Sequence, residues 1–281
     1  MKKMKKIIGI LIISLYINSC EEKPVISSKS EFYTDSIYSK YLSEYRKHNI
    51  YLPNGFNSKK KYPILYATDG GEIKENNFYK RTLDSLIDNR IINPMIMILS
   101  HSNNKVADSV DMGNGKKFYL TFRNYEYAND IASISEDSLL KNKFKNHMLY
   151  FNDELILKVE NELNQNPNKK DRYFYGTSNG AGFGLNLLNK HPNKIGTYLC
   201  FSVFGGDIQS KTWKNNVYYP KLYLRYGNKE DISLKKDAEF LKLKYKELNL
   251  YADISDFEGG HDSNKWNEIF TEMISKIFTT E

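Results

Sequence analysis

From residue 31 onward, short apolar runs alternate with longer amphipathic stretches. Tyr62-Pro63-Ile64-Leu65-Tyr66-Ala67-Thr68 and Pro94-Met95-Ile96-Met97-Ile98-Leu99 are almost wholly apolar, as strands buried on both faces are. Ile195 to Val203 and Leu222-Tyr223-Leu224-Arg225-Tyr226-Gly227 repeat that character, and Tyr251 to Phe257 is a weaker version. Between these runs the apolar residues fall at helical spacing. Leu83, Leu86 and Ile87 do so in Phe78–Asn89, and Met148, Phe151, Leu155, Val159 and Leu163 in Phe144–Leu163. Ser233 to Leu248 reads as a helix with Ser233 as candidate cap, and Lys265 to Phe278 as a last helix carrying Trp266, Ile269, Phe270, Met273 and Ile277 on one face. Strands alternating with helices predict an α/β fold, a mostly parallel, doubly wound sheet with helices on both faces. Glu31 to Leu52 alternates only in part and reads as two antiparallel strands at the sheet edge, closed by Pro53-Asn54-Gly55.

One stretch breaks the rhythm. From about Asn103 to Asn142 the chain is polar, carries Gly113 and Gly115, and shows no period. A segment of that length inside a compact domain is expected to be functional or mobile, here an insertion bordering the active site. No repeat is visible, so residues 31–281 are expected to form one domain.

The first residues belong to a different pattern. Basic Met1–Lys6 precedes apolar Ile7–Ile17, too short for a membrane-spanning helix but suited to an export signal over 1–19. Ile17-Asn18-Ser19-Cys20 resembles the lipobox of bacterial lipoproteins, which implies lipidation of Cys20 and a polar tether over 20–30. The expectation is an exported protein of the bacterial cell envelope, touching membrane only through that anchor. This changes the reading of the charge: +7 overall becomes +3 once Lys2, Lys3, Lys5 and Lys6 are set aside. No basic stripe interleaved with aromatics remains, so a nucleic-acid partner is not expected. Cys200 has no disulfide partner apart from Cys20 and reads as a buried strand thiol. The five histidines are scattered without metal-ligand spacing, so no cofactor is expected.

The candidate chemistry centres on Gly176-Thr177-Ser178-Asn179-Gly180, between an aromatic run and a helix-like segment. Strand, sharp turn and helix are what an exposed serine nucleophile requires, with glycines where a Cβ would clash. A serine needs a base to take its proton and an acid to orient that base. His261, in Glu258-Gly259-Gly260-His261-Asp262, follows the last strand and is the candidate base, whereas His48, His101, His147 and His191 lack such surroundings. The acid is expected between them, where Gly227-Asn228-Lys229-Glu230-Asp231 offers two adjacent carboxylates, one of them a possible helix cap. Oxyanion donors are expected from the N–H of Asn179 and from Gly70 or Gly71 in the loop after an early strand.

These pieces together resemble the enterochelin-esterase-like branch of the α/β-hydrolases, which also holds feruloyl and other carbohydrate esterases and acyltransferases. The resemblance runs from about Tyr45 to Phe278. It rests on Tyr51-Leu52-Pro53, Lys61–Tyr66 leading to Asp69-Gly70, Arg123-Asn124-Tyr125-Glu126-Tyr127, Asn152–Ile156, the Ser178 pentapeptide with His191-Pro192, Gly227-x-x-Glu230, and Gly260-His261 with Trp266. It implies an α/β-hydrolase fold and Glu230 as the acid in preference to Asp231. It also implies a serine esterase acting on a small-molecule or glycan ester, with siderophore esters favoured. Carbohydrate ester hydrolysis, acyl transfer and a non-catalytic binding lipoprotein are the alternatives. Arg123 is the candidate for an anionic substrate group, against an ion pair with Glu126 or another carboxylate.

Overall fold

The computed structural model describes residues 29–280 other than Asn76. The expected export signal, Cys20 and nearly all of the tether lie outside the described residues. Eight strands form the main sheet: β1 (Glu31–Ser39), β2 (Glu44–Leu52), β3 (Ile64–Gly70), β4 (Ile96–His101), β7 (Arg172–Thr177), β8 (Thr197–Phe201), β9 (Lys221–Gly227) and β10 (Ala252–Phe257). Their order is β1-β2-β4-β3-β7-β8-β9-β10. β1 and β2 are antiparallel at one edge, and β4, β3, β7, β8, β9 and β10 run parallel to one another. The alternation of apolar runs with amphipathic stretches thus gives the α/β-hydrolase type of sheet.

The parallel strands are buried on both sides because each side has its own helices. Ile64, Tyr66, Ile98, Phe174, Cys200 and Leu224 pack with α5 (Lys143–Leu149), α6 (Ile156–Glu162), α7 (Asn179–Lys190) and α8 (Ile232–Glu247). Leu65, Ala67, Met97, Tyr175 and Phe201 face α1 (Phe78–Asp88) and α9 (Ser263–Ile277). Cys200 is free and fully buried, and burial pushes its thiol well above the ordinary range.

One expectation needs correction. Phe144–Leu163 is not one continuous α-helix, because a π-helical turn at Tyr150–Leu155 separates α5 from α6. That turn keeps Tyr150, Phe151 and Leu155 in the core, so the apolar spacing alone does not betray it. The insertion carries elements of its own: β5 (Val106–Asp111) and β6 (Lys117–Thr121) form a hairpin, followed by α2 (Phe122–Tyr127), α3 (Asn129–Ser133) and α4 (Ser138–Lys141).

The sheet winds outward in both directions from between β3 and β7. From β3 the chain moves to β4, and from β7 it moves through β8 and β9 to β10. Loops beyond the carboxyl ends of strands at such a switch point splay apart and leave a crevice. Asp69 and Ser178 stand on its two sides.

Candidate active site

β7 turns into α7 at Ser178, which adopts φ 53°, ψ −127°. Such a backbone costs about 1–3 kcal/mol and persists only when its surroundings fix it. Here Ser178 N–H donates to Phe201 O at 3.0 Å, while its carbonyl accepts from Gly182 N at 3.1 Å and Phe204 N at 3.2 Å. Space decides the flanking residues. A Cβ on Gly176 would come within 2.7 Å of the Gly180 carbonyl, and one on Gly180 would meet Thr68 Oγ1 and lie 2.8 Å from Asp69 Oδ2. Glycine is therefore required on both sides of the corner.

Two other strand ends supply the partners. His261 Nε2 lies 2.9 Å from Ser178 Oγ, and His261 Nδ1 lies 2.9 Å from Glu230 Oε1. A carboxylate only accepts, so Nδ1 carries the proton and Nε2 is left to accept the serine hydroxyl. The loops bearing acid and base are laced together: Asn228 N donates to Phe257 O, Lys229 N to Gly259 O, and Gly259 N to Asn228 Oδ1. The register of β9 on β10 thus also sets the register of Glu230 on His261.

Glu230 is hidden, with 1% of its side chain exposed against 42% for His261. Burial pushes its carboxyl up, but hydrogen bonds from His261, Ser202 and the Gly227 N–H hold it below the usual carboxylate range. Asp231, the competing carboxylate, points elsewhere. It caps α8, accepting from Ser233 N at 2.8 Å and Ser233 Oγ at 2.7 Å, so Ser233 is not the cap that the sequence suggests. The adjacent carboxylates divide the work by direction.

The loop after β3 meets the insertion. Asp69 takes φ 61° and accepts a two-pronged contact from Arg123, at 2.5 Å from Nε and 2.9 Å from NH2. Arg123 NH1 also donates to Asn179 Oδ1 at 3.2 Å, and its guanidinium lies 5.0 Å from the Tyr127 ring centroid. The guanidinium is therefore engaged by Asp69, and not by Glu126. Glu126 instead receives Arg46, at 3.0 Å from NH1 and 2.7 Å from NH2, with its carboxylate fully buried. Gly70 ends β3, its carbonyl accepting from Ser102 N, and the Gly71 carbonyl accepts from Asn49 Nδ2 at 2.7 Å.

A cleft of about 480 Å³ opens over Ser178 and His261, walled by Phe118 and Asn124 of the insertion and by Phe204, Lys229 and Leu234. The insertion does border this cleft. A hollow of about 590 Å³ lies between the β1–β2 turn and Leu139–Asn146, remote from Ser178 and His261. The other histidines have different lives. Burial drives His48 down to about 4, and β2 lies between β1 and β4, so that histidine is not on an edge strand. His147 is fully buried, His101 meets Asn49 Oδ1 at 2.8 Å, and His191 ends α7. Ser202 and Asp69 are the site residues that sequence reasoning passed over. Each lies just past or at the end of a buried strand with φ above 50°, a position that only proximity to Ser178 could have flagged.

The sequence matches the family model described as "Esterase: Putative esterase" over residues 39–277. The chain belongs to this esterase family. Among solved structures, a ferulic acid esterase shares the esterase fold with TM-score 0.68 and 16% identity, covering 90% of this chain and 99% of that one. An IroE-like serine hydrolase from Shewanella oneidensis follows at 0.61 and 17%, covering 88% and 80%. An enterochelin esterase from Shigella flexneri gives 0.63 and 14%, with 90% of this chain matched to 59% of that one. At such identities the likeness is one of fold. No curated protein matches the sequence.

Proposed function

We propose that this esterase is a serine carboxylic-ester hydrolase working through an acyl-enzyme. The observation that carries the reading is the unbroken line Ser178 Oγ, His261 Nε2, His261 Nδ1, Glu230 Oε1, with both contacts at 2.9 Å. His261 takes the serine proton as Oγ attacks the ester carbonyl, and Glu230 holds the imidazole and balances its positive charge. The tetrahedral oxyanion collapses, the C–O bond to the alcohol breaks, and the alcohol leaves with the proton from His261. Water, deprotonated by the same imidazole, then attacks the acyl carbonyl and releases the acid from Ser178.

The N–H of Asn179 heads α7 and is one oxyanion donor. The second is the N–H of Gly71: peptide bonds here are trans, and the Gly70 carbonyl faces Ser102 just past β4, so the Gly71 N–H faces away from that side. Arg123 serves to hold Asn179 and Asp69, since its guanidinium is already committed to them.

For substrate class, the apolar wall of Phe118, Phe204 and Leu234 with Lys229 on the rim suits an ester with a flat apolar part near an anionic group. Siderophore esters of the enterochelin type fit that wall, enterochelin being the ester named for the Shigella flexneri structure, as do ferulic esters. A lipid anchor at Cys20 would present the enzyme to such esters at the cell envelope. Labelling by a fluorophosphonate probe is expected at Ser178. Ser178→Ala is expected to lose label and to lower hydrolysis of a short p-nitrophenyl ester on the order of 10⁶-fold. Full activity in that variant would falsify the assignment.

A further inference from the structure

The Glu230 carboxylate has more partners than the hydrolytic line requires. Its Oε2 accepts from the Gly227 N–H at 3.0 Å, and the neighbouring Ser202 hydroxyl adds to the polar surroundings that hold the carboxylate below its usual range. Ser202 is itself held. It follows β8, takes φ 51°, is completely buried, and donates its N–H to Arg225 O at 2.7 Å. Its Oγ accepts the indole Nε1–H of Trp266 at 2.7 Å. An indole N–H can only donate, so the serine hydroxyl must spend a lone pair on Trp266 and is left to point its own proton at Glu230. The same indole meets His261 edge-on, at 4.7 Å between ring centroids and 90° between planes. One side chain of α9 thus braces the acid through a hydroxyl and the base through its ring.

We infer that Ser202 and Trp266 are positioning residues of the esterase: Trp266 aims the Ser202 hydroxyl, and Ser202 fixes the Glu230 carboxylate against His261. The inference rests on the reading of Ser178, His261 and Glu230 given above. It extends the line to Trp266 Nε1, Ser202 Oγ, Glu230, His261 and Ser178, drawn from four separate segments of chain. Because neither residue lines the cleft, neither should affect how substrate binds. Each acts only while the acid is a carboxylate aimed at the imidazole.

The test is steady-state hydrolysis of a p-nitrophenyl ester by Ser202→Ala, Trp266→Phe, the double variant, and Ser202→Ala on a Glu230→Gln background. Alanine keeps the Cβ that the left-handed backbone already tolerates, and phenylalanine keeps the ring edge beside His261 while removing the N–H. Ser202→Ala is expected to lower kcat about tenfold, the worth of one charge-assisted hydrogen bond, with KM unchanged. Trp266→Phe should cost less, roughly threefold, and the double variant no more than Ser202→Ala alone, because one residue acts through the other. On the Glu230→Gln background, Ser202→Ala should cost nothing further in the rate of fluorophosphonate labelling. An unchanged kcat in both single variants overturns the inference. So do losses that multiply in the double variant, or that persist without the Glu230 carboxylate. Should Ser202→Ala fail to fold, Trp266→Phe against Trp266→Phe with Glu230→Gln gives the same comparison. Ser178→Ala with undiminished activity would sink the underlying reading instead, a result these variants cannot mimic.

Discussion

The cleft has two walls built on opposite principles. On one side, Ser178, Glu230 and His261 stand at the ends of β7, β9 and β10, and most of α7 is buried. On the other, the β5–β6 hairpin holds most of its apolar residues out to solvent, with Phe118 at 55% and Met112 at 67% exposure. The first wall is fixed by strand register and by loops bonded to one another. The second is fastened at its base, by Arg46 to Glu126, by Arg123 to Asp69 and by Ala107 and Leu120 packing on the core, while its tip stands in solvent. Reaction geometry tolerates little displacement, whereas substrate fit can be altered by moving one aromatic ring. The molecule separates the two demands in space.

Damage to the two walls should therefore read out differently. Next in size after loss of Ser178 itself, Glu230→Gln is expected to lower kcat on the order of 10⁴-fold with little change in KM, measured on a p-nitrophenyl ester. A comparable rise in KM instead would mean that the ordered wall also holds substrate. Arg46→Ala strands a buried Glu126 carboxylate beneath the insertion, and is expected to cost about 3–5 kcal/mol in denaturant unfolding. A loss below about 1 kcal/mol would show that the insertion is fastened elsewhere. Phe118→Ala touches only the outer wall, and should raise KM for an aromatic ester about two- to fivefold while leaving kcat and stability unchanged. The smallest effect concerns acid. Glu230 sits below its ordinary value near 4.5, so its stabilising contribution is present above that pH and is lost as pH falls through the lowered value. The Tm difference between wild type and Glu230→Gln should accordingly shrink on acidification below about pH 4.5. A difference that stays constant would remove the carboxylate from the stability balance.

The same contrast explains what could be read without coordinates. β3, β4, β8 and β9 announce themselves as apolar runs because both of their faces are covered. Ser178 announces itself through flanking glycines that are spatially obligatory, and His261 through its place in a glycine-bearing loop after the last strand. The choice of Glu230 over Asp231 came from resemblance, and its physical basis is that Asp231 is spent on the first turn of α8. Other features leave no local trace. The pairing of Arg123 with Asp69 spans 54 residues, and that of Trp266 with Ser202 spans 64. A lone serine after a buried strand resembles any turn serine until Trp266 is seen donating to it. The π-helical turn at Tyr150–Leu155 escapes because it leaves the core-facing residues in phase. The hairpin at 106–121 escapes because its strands pack against little, so no buried face imposes alternation on them.

The double contact between Arg123 and Asp69 also bears on how such a cleft could be exchanged between proteins. Residues 103–142 look like a detachable cassette, yet they carry only the cation of that pair, while its anion belongs to the loop after β3. Transplanted into a scaffold with a neutral residue at the Asp69 position, the cassette would arrive with an unmatched guanidinium beside Asn179. Any successful recombination, in the laboratory or in descent, must therefore move two distant pieces of chain at once.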